Sequence, residues 1–279
     1  MRILTISMAV AAMMFAVQPL ESQGVAAAPA MSYADLADLA LTAPVVAQVR
    51  VERSDALSER ETTGVPAGHR RFLIEASVVA LIRGEGGLPA RVSYLVDLPD
   101  DSRGRAQRVR RRTEYLIFAS RAPNRPGDLR LVAPDAQLPF APETAERLRA
   151  ILRESVGPGA APAIVGIGRA FHVPGSLPGE SETQIFLLAG DERPISLSVL
   201  RRPGERPRWS VALGEMVDNA AAAPQRDTLL WYRLACTLPR QLPDQSLSEA
   251  TAEEAQAIRA DYRLVMEGLG ACARNRVRR

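Results

Sequence analysis

The chain carries two histidines, His69 and His172, and two cysteines, Cys236 and Cys272, so the side chains best suited to proton transfer, metal ligation or thiol chemistry are few and far apart. His69 lies in a Gly/Arg loop that enters a strand. His172 lies in Phe171-His172-Val173-Pro174-Gly175. Either imidazole can act as a general base. The one catalytic arrangement within reach pairs His172 with an acid at Glu180 or Glu182, as in an exported hydrolase. The stretch Gly179-Glu180-Ser181-Glu182-Thr183 imitates a nucleophile elbow, but it lacks the second glycine and leads into a strand instead of a helix. Two loop histidines without catalytic roles are the plainer reading, so the chain reads as non-enzymatic, with the hydrolase as its alternative.

Other chemistries are excluded or weakly signalled. All 35 basic residues are arginine, so a Schiff-base lysine, a Ser/Lys dyad and a phosphate-loop lysine cannot exist here. Asp97, Asp100 and Asp101 form a small carboxylate group, but a calcium loop needs more oxygens at regular spacing, and a solvated turn is expected. Gly166, Gly168 and the glycines at 175–179 have no βαβ unit around them, so they make no dinucleotide fingerprint. No cofactor and no metal are expected. The densest unusual feature is Arg103, Arg105, Arg108, Arg110, Arg111 and Arg112. Such a cluster suits bidentate docking of phosphates or carboxylates, or equally a solvated loop. The absence of interleaved aromatics argues against nucleic acid.

Where the protein works is read from its first thirty residues. Arg2, the apolar run Ile3 to Val17 and the small-residue segment ending Ala28-Pro29-Ala30 follow the layout of a secretory signal peptide, with Val25-Ala26-Ala27 as an alternative cleavage point. The run is too short for a membrane span and no later stretch is longer, so no integral membrane segment is expected after cleavage. Cys236 and Cys272 fit one disulfide in an oxidising, periplasmic or extracellular compartment; a metal pair is the weaker reading. A net charge of +3 and a pI near 9.2 favour anionic partners: an envelope protein, an anionic glycan or lipid head groups.

The elements that must position these residues are legible in part. Ser32 and Asp35 have capping spacing ahead of Leu36 and Leu39, which predicts a helix over 32–41. Strand patterns follow at Val45–Val51, Phe72–Ile82, Val92–Val96, Tyr115–Ala119 and Leu129–Val132, without helices between them, so a small antiparallel barrel or sandwich is expected. Pro142 opens a second helix, with Ala145, Leu148, Ile151 and Leu152 on one stripe. Thr183–Leu188, Ile195–Arg201 and Trp209–Leu213 read as a three-stranded meander. Asp227-Thr228 opens a helix or a strand. Ala255, Ile258, Tyr262, Val265, Leu269 and Cys272 recur at helical spacing in a helix ending near Gly270, followed by an Arg-rich tail from Arg274 expected to fray. The fold class is mainly β with flanking helices (α+β). Its expected parts are a signal peptide at 1–30, a barrel at 31–141, a helix and Gly/Pro linker at 142–162, a meander with C-terminal helices at 163–272 and a tail at 273–279.

Residues 33–133 resemble a netrin-like domain, the oligonucleotide/oligosaccharide-binding-type barrel of the tissue inhibitors of metalloproteinases. The resemblance lies in Ala34-Asp35-Leu36-Ala37, Val45–Val51, Phe72–Gly84, Glu114-Tyr115-Leu116-Ile117-Phe118-Ala119 and Gly127-Asp128-Leu129. It implies a binding fold. Inhibitors of that type chelate zinc through a cysteine at the mature N-terminus; here that position is Met31-Ser32 and no cysteine precedes Cys236, so that activity is not implied. Exported protein is expected to begin at Met31, and N-terminal sequencing that finds an intact Met1 on cytosolic protein would refute the export reading.

Overall fold

The computed structural model describes residues 31–58, 62–107, 109–214 and 222–276. The expected signal peptide, Arg108 and the last residues of the tail, 277–279, lie outside the described residues.

The first helix, α1 (Tyr33–Thr42), starts where Ser32 accepts a hydrogen bond from the Asp35 N–H at 3.0 Å and donates its hydroxyl to the Asp35 carboxylate at 2.8 Å. Pro44 disfavours a helical Ala43 and turns the chain into β1 (Val45–Ala56). Then come β2 (His69–Arg83), β3 (Arg91–Pro99), β4 (Glu114–Ala122), β5 (Arg125–Leu131) and a short β6 (Gln137–Pro139) beside β4. The order β1-β2-β3-β5-β4 closes because β4 also pairs with β1, giving a five-stranded barrel. It is mixed rather than antiparallel throughout, since β3 and β5 run parallel. The physical reason is the crossing at residues 100–113, which carries the chain over the barrel end to β1, so that the β4–β5 hairpin returns to β3 in the parallel sense.

Alternate residues fill the barrel: Val45, Val49, Phe72, Ile74, Tyr94, Val96, Ile117 and Leu129 are buried in one cluster. On β1 and β4 the intervening residues are buried too. Val46, Leu116 and Phe118 belong to a second cluster with α1, with α2 (Pro142–Val156) and with the rest of the chain. Strands covered on both faces read as continuous apolar runs, which is why Tyr115–Ala119 stands out in the sequence.

The second sheet has four strands, ordered β10-β9-β8-β7. Besides β8 (Ser181–Ala189), β9 (Ile195–Arg201) and β10 (Arg208–Ala212) it includes β7 (Ile164–Pro174), so the three-stranded expectation is one strand short. Gly166 and Gly168 hide that strand: they break the alternation, register shifts flank them, and a Cβ at Gly166 would come within 3.3 Å of the Leu188 side chain. Residues 229–235 form helix α3 (Leu229–Ala235), capped by Thr228, which settles the helix-or-strand alternative. The last helix, α4 (Ala252–Leu269), begins with a full capping box between Thr251 and Glu254. Ile258, Tyr262 and Val265 bury against the same core as Ile185, Leu197 and Val199 of the sheet. Gly268 allows the closest approach, because a Cβ there would stand 2.5 Å from Trp209 Nε1. Among the described residues no helix is long and apolar enough to cross a membrane.

Cys236 and Cys272 are bonded, with Cα atoms 5.1 Å apart. Cys272 does not continue the α4 stripe as expected. The helix stops at Leu269, Gly270 takes φ 69°, and Cys272 sits in an extended strap beyond it. Fraying does not hold for Arg274–Arg276. Arg274 Nε donates to Asp38 at 2.8 Å, the Asn275 N–H to Asp35 at 2.7 Å, and Arg276 to Asp135 at 2.5 Å. Replacing both cysteines with serine is expected to lower stability by about 4 kcal/mol on the chain-entropy argument, read from urea unfolding.

Candidate functional site

The parallel seam of the barrel is short. β3 and β5 pair at Ser93↔Asp128 and Tyr94↔Leu129. The Ser93 hydroxyl latches this point by donating to Asp128 at 2.6 Å, and with Arg125 it holds that carboxyl below the usual carboxylate range. Beyond Tyr94 and Leu129 the two strands diverge, because β5 turns toward β6 while β3 continues to Pro99. The divergence opens two clefts that share Val96, Asp97, Val132, Ala133 and Pro134. One, of about 830 Å³, is lined by Arg71, Leu95, Ser120 and Arg130. The other, of about 810 Å³, reaches Asp38, His69, Asp135, Gln137 and Arg276. On the other side of the latch a third cleft of about 450 Å³ is bounded by Glu52, Glu75, Arg91, Arg111 and Asp128. One barrel face thus carries three adjoining depressions.

Several of their polar groups are held by pairing. Arg71 makes a bidentate contact with Asp97, at 2.7 and 2.8 Å, and that bond raises the guanidinium pKa further. Tyr94 OH donates to Gln137 Oε1 at 2.7 Å, and burial pushes its phenol well above the ordinary tyrosine value. Arg276 fixes Asp135 and lowers its carboxyl pKa, chiefly through the side-chain hydrogen bond. Asp38 takes both Arg274 and the Tyr232 hydroxyl, the latter at 2.6 Å. Burial first, and the Asp38 bond second, push the Tyr232 phenol up to about 12. Arg91 and Arg130 are exposed and make no ion pair with a carboxylate among the described residues.

The residues singled out from sequence fall elsewhere or separately. The carboxylate group disperses onto arginines: Asp97 to Arg71, Asp100 to Arg70 and Asp101 to Arg105. Asp101 organises the arginine loop by accepting from the Arg103 and Arg105 N–H groups at 2.9 and 2.8 Å, and its carboxyl is lowered, most by Arg105. Arg103, Arg110 and Arg112 are exposed, and Arg112 has φ 67°. Of the five described arginines of this cluster, Arg111 alone lines one of these clefts, 3.9 Å from Glu52. His69, on the rim, places Nδ1 3.2 Å from the Ala67 carbonyl.

His172 meets neither Glu180 nor Glu182. Its Nδ1 lies 2.8 Å from Thr183 Oγ1, whose hydroxyl donates to the buried Asp261 at 2.5 Å; Arg201 holds the other Asp261 oxygen at 2.5 and 2.8 Å. Thr183 has one proton and gives it to a carboxylate, so Nδ1 is the donor to Thr183. Glu182 sits beside Val173 in the ladder, on the sheet face opposite His172, and accepts from Gln184 at 2.9 Å; Glu180 folds over the hairpin turn beside Gly175. The sequence offered no signal for Asp261 as the partner, because it lies 78 residues from Thr183. Neither a scan against protein-family models nor a search of curated proteins finds a match to this chain.

Arg276→Gln is expected to cost about 1 kcal/mol at neutral pH. Since the folded Asp135 value lies below the unfolded one, this stabilisation is complete above the ordinary Asp range near 4. It fades as pH falls through the depressed folded value. Urea unfolding of wild type and variant should therefore differ at pH 7 and converge at low pH.

Proposed function

We propose that the chain is an exported, non-enzymatic binding protein of the cell envelope, and that the barrel seam is its binding surface. The observation that carries this reading is the run of three adjoining clefts along β3 and β5, where Asp97, Asp128 and Asp135 are already paired and Arg91 and Arg130 are left for a ligand. Such a surface suits an extended segment of an envelope protein, or an anionic glycan or lipid head group, that offers carboxylates or phosphates to guanidinium groups. The disulfide supports an oxidising compartment. The closed mixed barrel supports kinship with oligonucleotide/oligosaccharide-binding-type barrels, of which the netrin-like domain is the form we favour; the zinc-chelating N-terminal cysteine of its inhibitor members has no counterpart.

A second reading, an exported hydrolase, has the oriented His172 imidazole behind it. Binding assays against envelope extract, anionic polysaccharide and anionic vesicles separate the two. Arg91→Ala with Arg130→Ala should weaken capture about tenfold and flatten its salt dependence, and His172→Ala should leave it unchanged. Capture indifferent to the arginine pair refutes the seam as the site, and polymer turnover abolished by His172→Ala establishes the hydrolase.

A further inference from the structure

The backbone of β3 is paired along one edge and only partly along the other. On the β2 side, the Val78 N–H donates to the Ala90 carbonyl at 2.9 Å and the Asp100 N–H to the Gly68 carbonyl at 2.8 Å, bracketing an unshifted antiparallel register. Bonded pairs in such a ladder recur at every second residue. The even-numbered residues of β3 therefore turn their N–H and C=O groups to β2, and the odd-numbered ones turn theirs to β5. The β4–β5 ladder is phased by the Val132 N–H on the Phe118 carbonyl at 3.0 Å, which points the backbone groups of Leu129 and Leu131 back toward β3. Pairing between β3 and β5 nevertheless stops at Tyr94↔Leu129. This leaves the carbonyls of Leu95, Asp97 and Pro99 and the Asp97 N–H on one bank, and the Leu131 N–H and carbonyl on the other, without a backbone partner among the described residues. Pro99 agrees with this phasing. Its missing N–H falls on the open edge, where a strand tolerates proline.

Between the banks lies open space. The cleft of about 830 Å³ is lined by residues 95–97 and 129–134, and that of about 810 Å³ by residues 96–99 and 132–135. One trough thus follows the open edge of β3 over its last five residues, a length of about 16 Å. Alternation along the strands places Leu95, 45% exposed, and Arg130 on the outer face with the Ser93–Asp128 latch, while Val96 and Leu129 point into the barrel. On that outer face Asp97 is already bound to Arg71, and Arg130 makes no ion pair.

We propose that the trough receives an extended polypeptide that adds to the open edge of β3 as a further strand: an acidic stretch of another envelope protein, with apolar residues at alternate positions. This rests on the reading of the seam as the binding surface, and it names the class of partner. Main-chain hydrogen bonds to Leu95, Asp97 and Pro99 supply affinity, and the alternating side chains supply specificity. Outward residues of the added strand pass Arg130, which selects a carboxylate. Inward residues cover Val96 and Leu131, where the barrel wall is not closed. A glycan or a lipid head group can satisfy the arginine, but neither offers N–H and C=O groups at the repeat of a strand.

Panning a phage-displayed library of random peptides against the exported protein tests the proposal, followed by synthetic forms of the enriched sequences. These should alternate apolar and acidic residues and exclude proline. N-methylation of every second peptide amide should weaken binding about tenfold or more in one of the two alternate sets and far less in the other, because only one set faces β3. Bound peptide should also slow hydrogen exchange at the Asp97 amide about tenfold or more in the wild-type protein. A library that enriches nothing, binding indifferent to both N-methylation sets, or protection confined to another surface overturns the added strand. Failure here is distinct from failure of the seam itself. If these peptide tests fail while capture of envelope extract still falls with Arg91→Ala and Arg130→Ala, the seam stands and the added strand does not; if that capture is also unchanged, both fall.

Discussion

Asp35 is a carboxylate with 1% of its surface exposed, and the architecture depends on how it is neutralised. A buried charge without partners costs several kcal/mol, so the groups around it are constrained. Ser32 supplies a hydroxyl from the cap of its own helix; the Asn275 and Arg276 N–H groups come from the opposite end of the chain. The strap that delivers them is itself tied to α3 by the disulfide and to Asp38 by Arg274. Helix α1 can therefore sit in the interior only when the C-terminal segment is in place.

That burial makes α1 the element joining barrel and second sheet. Leu36, Leu39 and Ala40 share a cluster with Leu116 and Phe118 of the barrel, with Leu148 and Ile151 of α2, and with the inner face of the second sheet. Tyr33 meets Trp231 edge-on at 6.2 Å. Because β1 and β4 are covered on their outer side by this core, the face left to solvent on the barrel is that of β2, β3 and β5. The clefts open there, where the parallel pairing ends and the chain must turn toward β6.

Arginine, in a chain without lysine, shapes the barrel seam and the C-terminal strap. Planar guanidinium groups pair with carboxylates along the barrel seam and at the strap, fixing geometry as a more mobile ammonium would not.

Several features were fixed by local sequence. The capped first helix, the strands of the barrel, the proline-started α2 and the apolar stripe of α4 follow from capping chemistry and periodicity, which act over a few residues. The pairing of two cysteines followed from their number. The mixed barrel, the fourth strand of the second sheet and the sites were decided by tertiary structure. Parallel pairing of β3 with β5 depends on a crossing that no local pattern encodes, and β7 was masked because its glycines answer to Leu188 and Phe186 on a neighbouring strand. His172 was legible as a candidate, but its partner is Thr183, and Asp261, which Thr183 bonds in turn, is brought there by the packing of α4 on the sheet. Arg276 reads as a frayed tail until Asp35 and Asp135 are placed beside it. The strength of an ion pair or a cleft depends on distance in space and on exclusion of water, and neither quantity exists before the chain has folded.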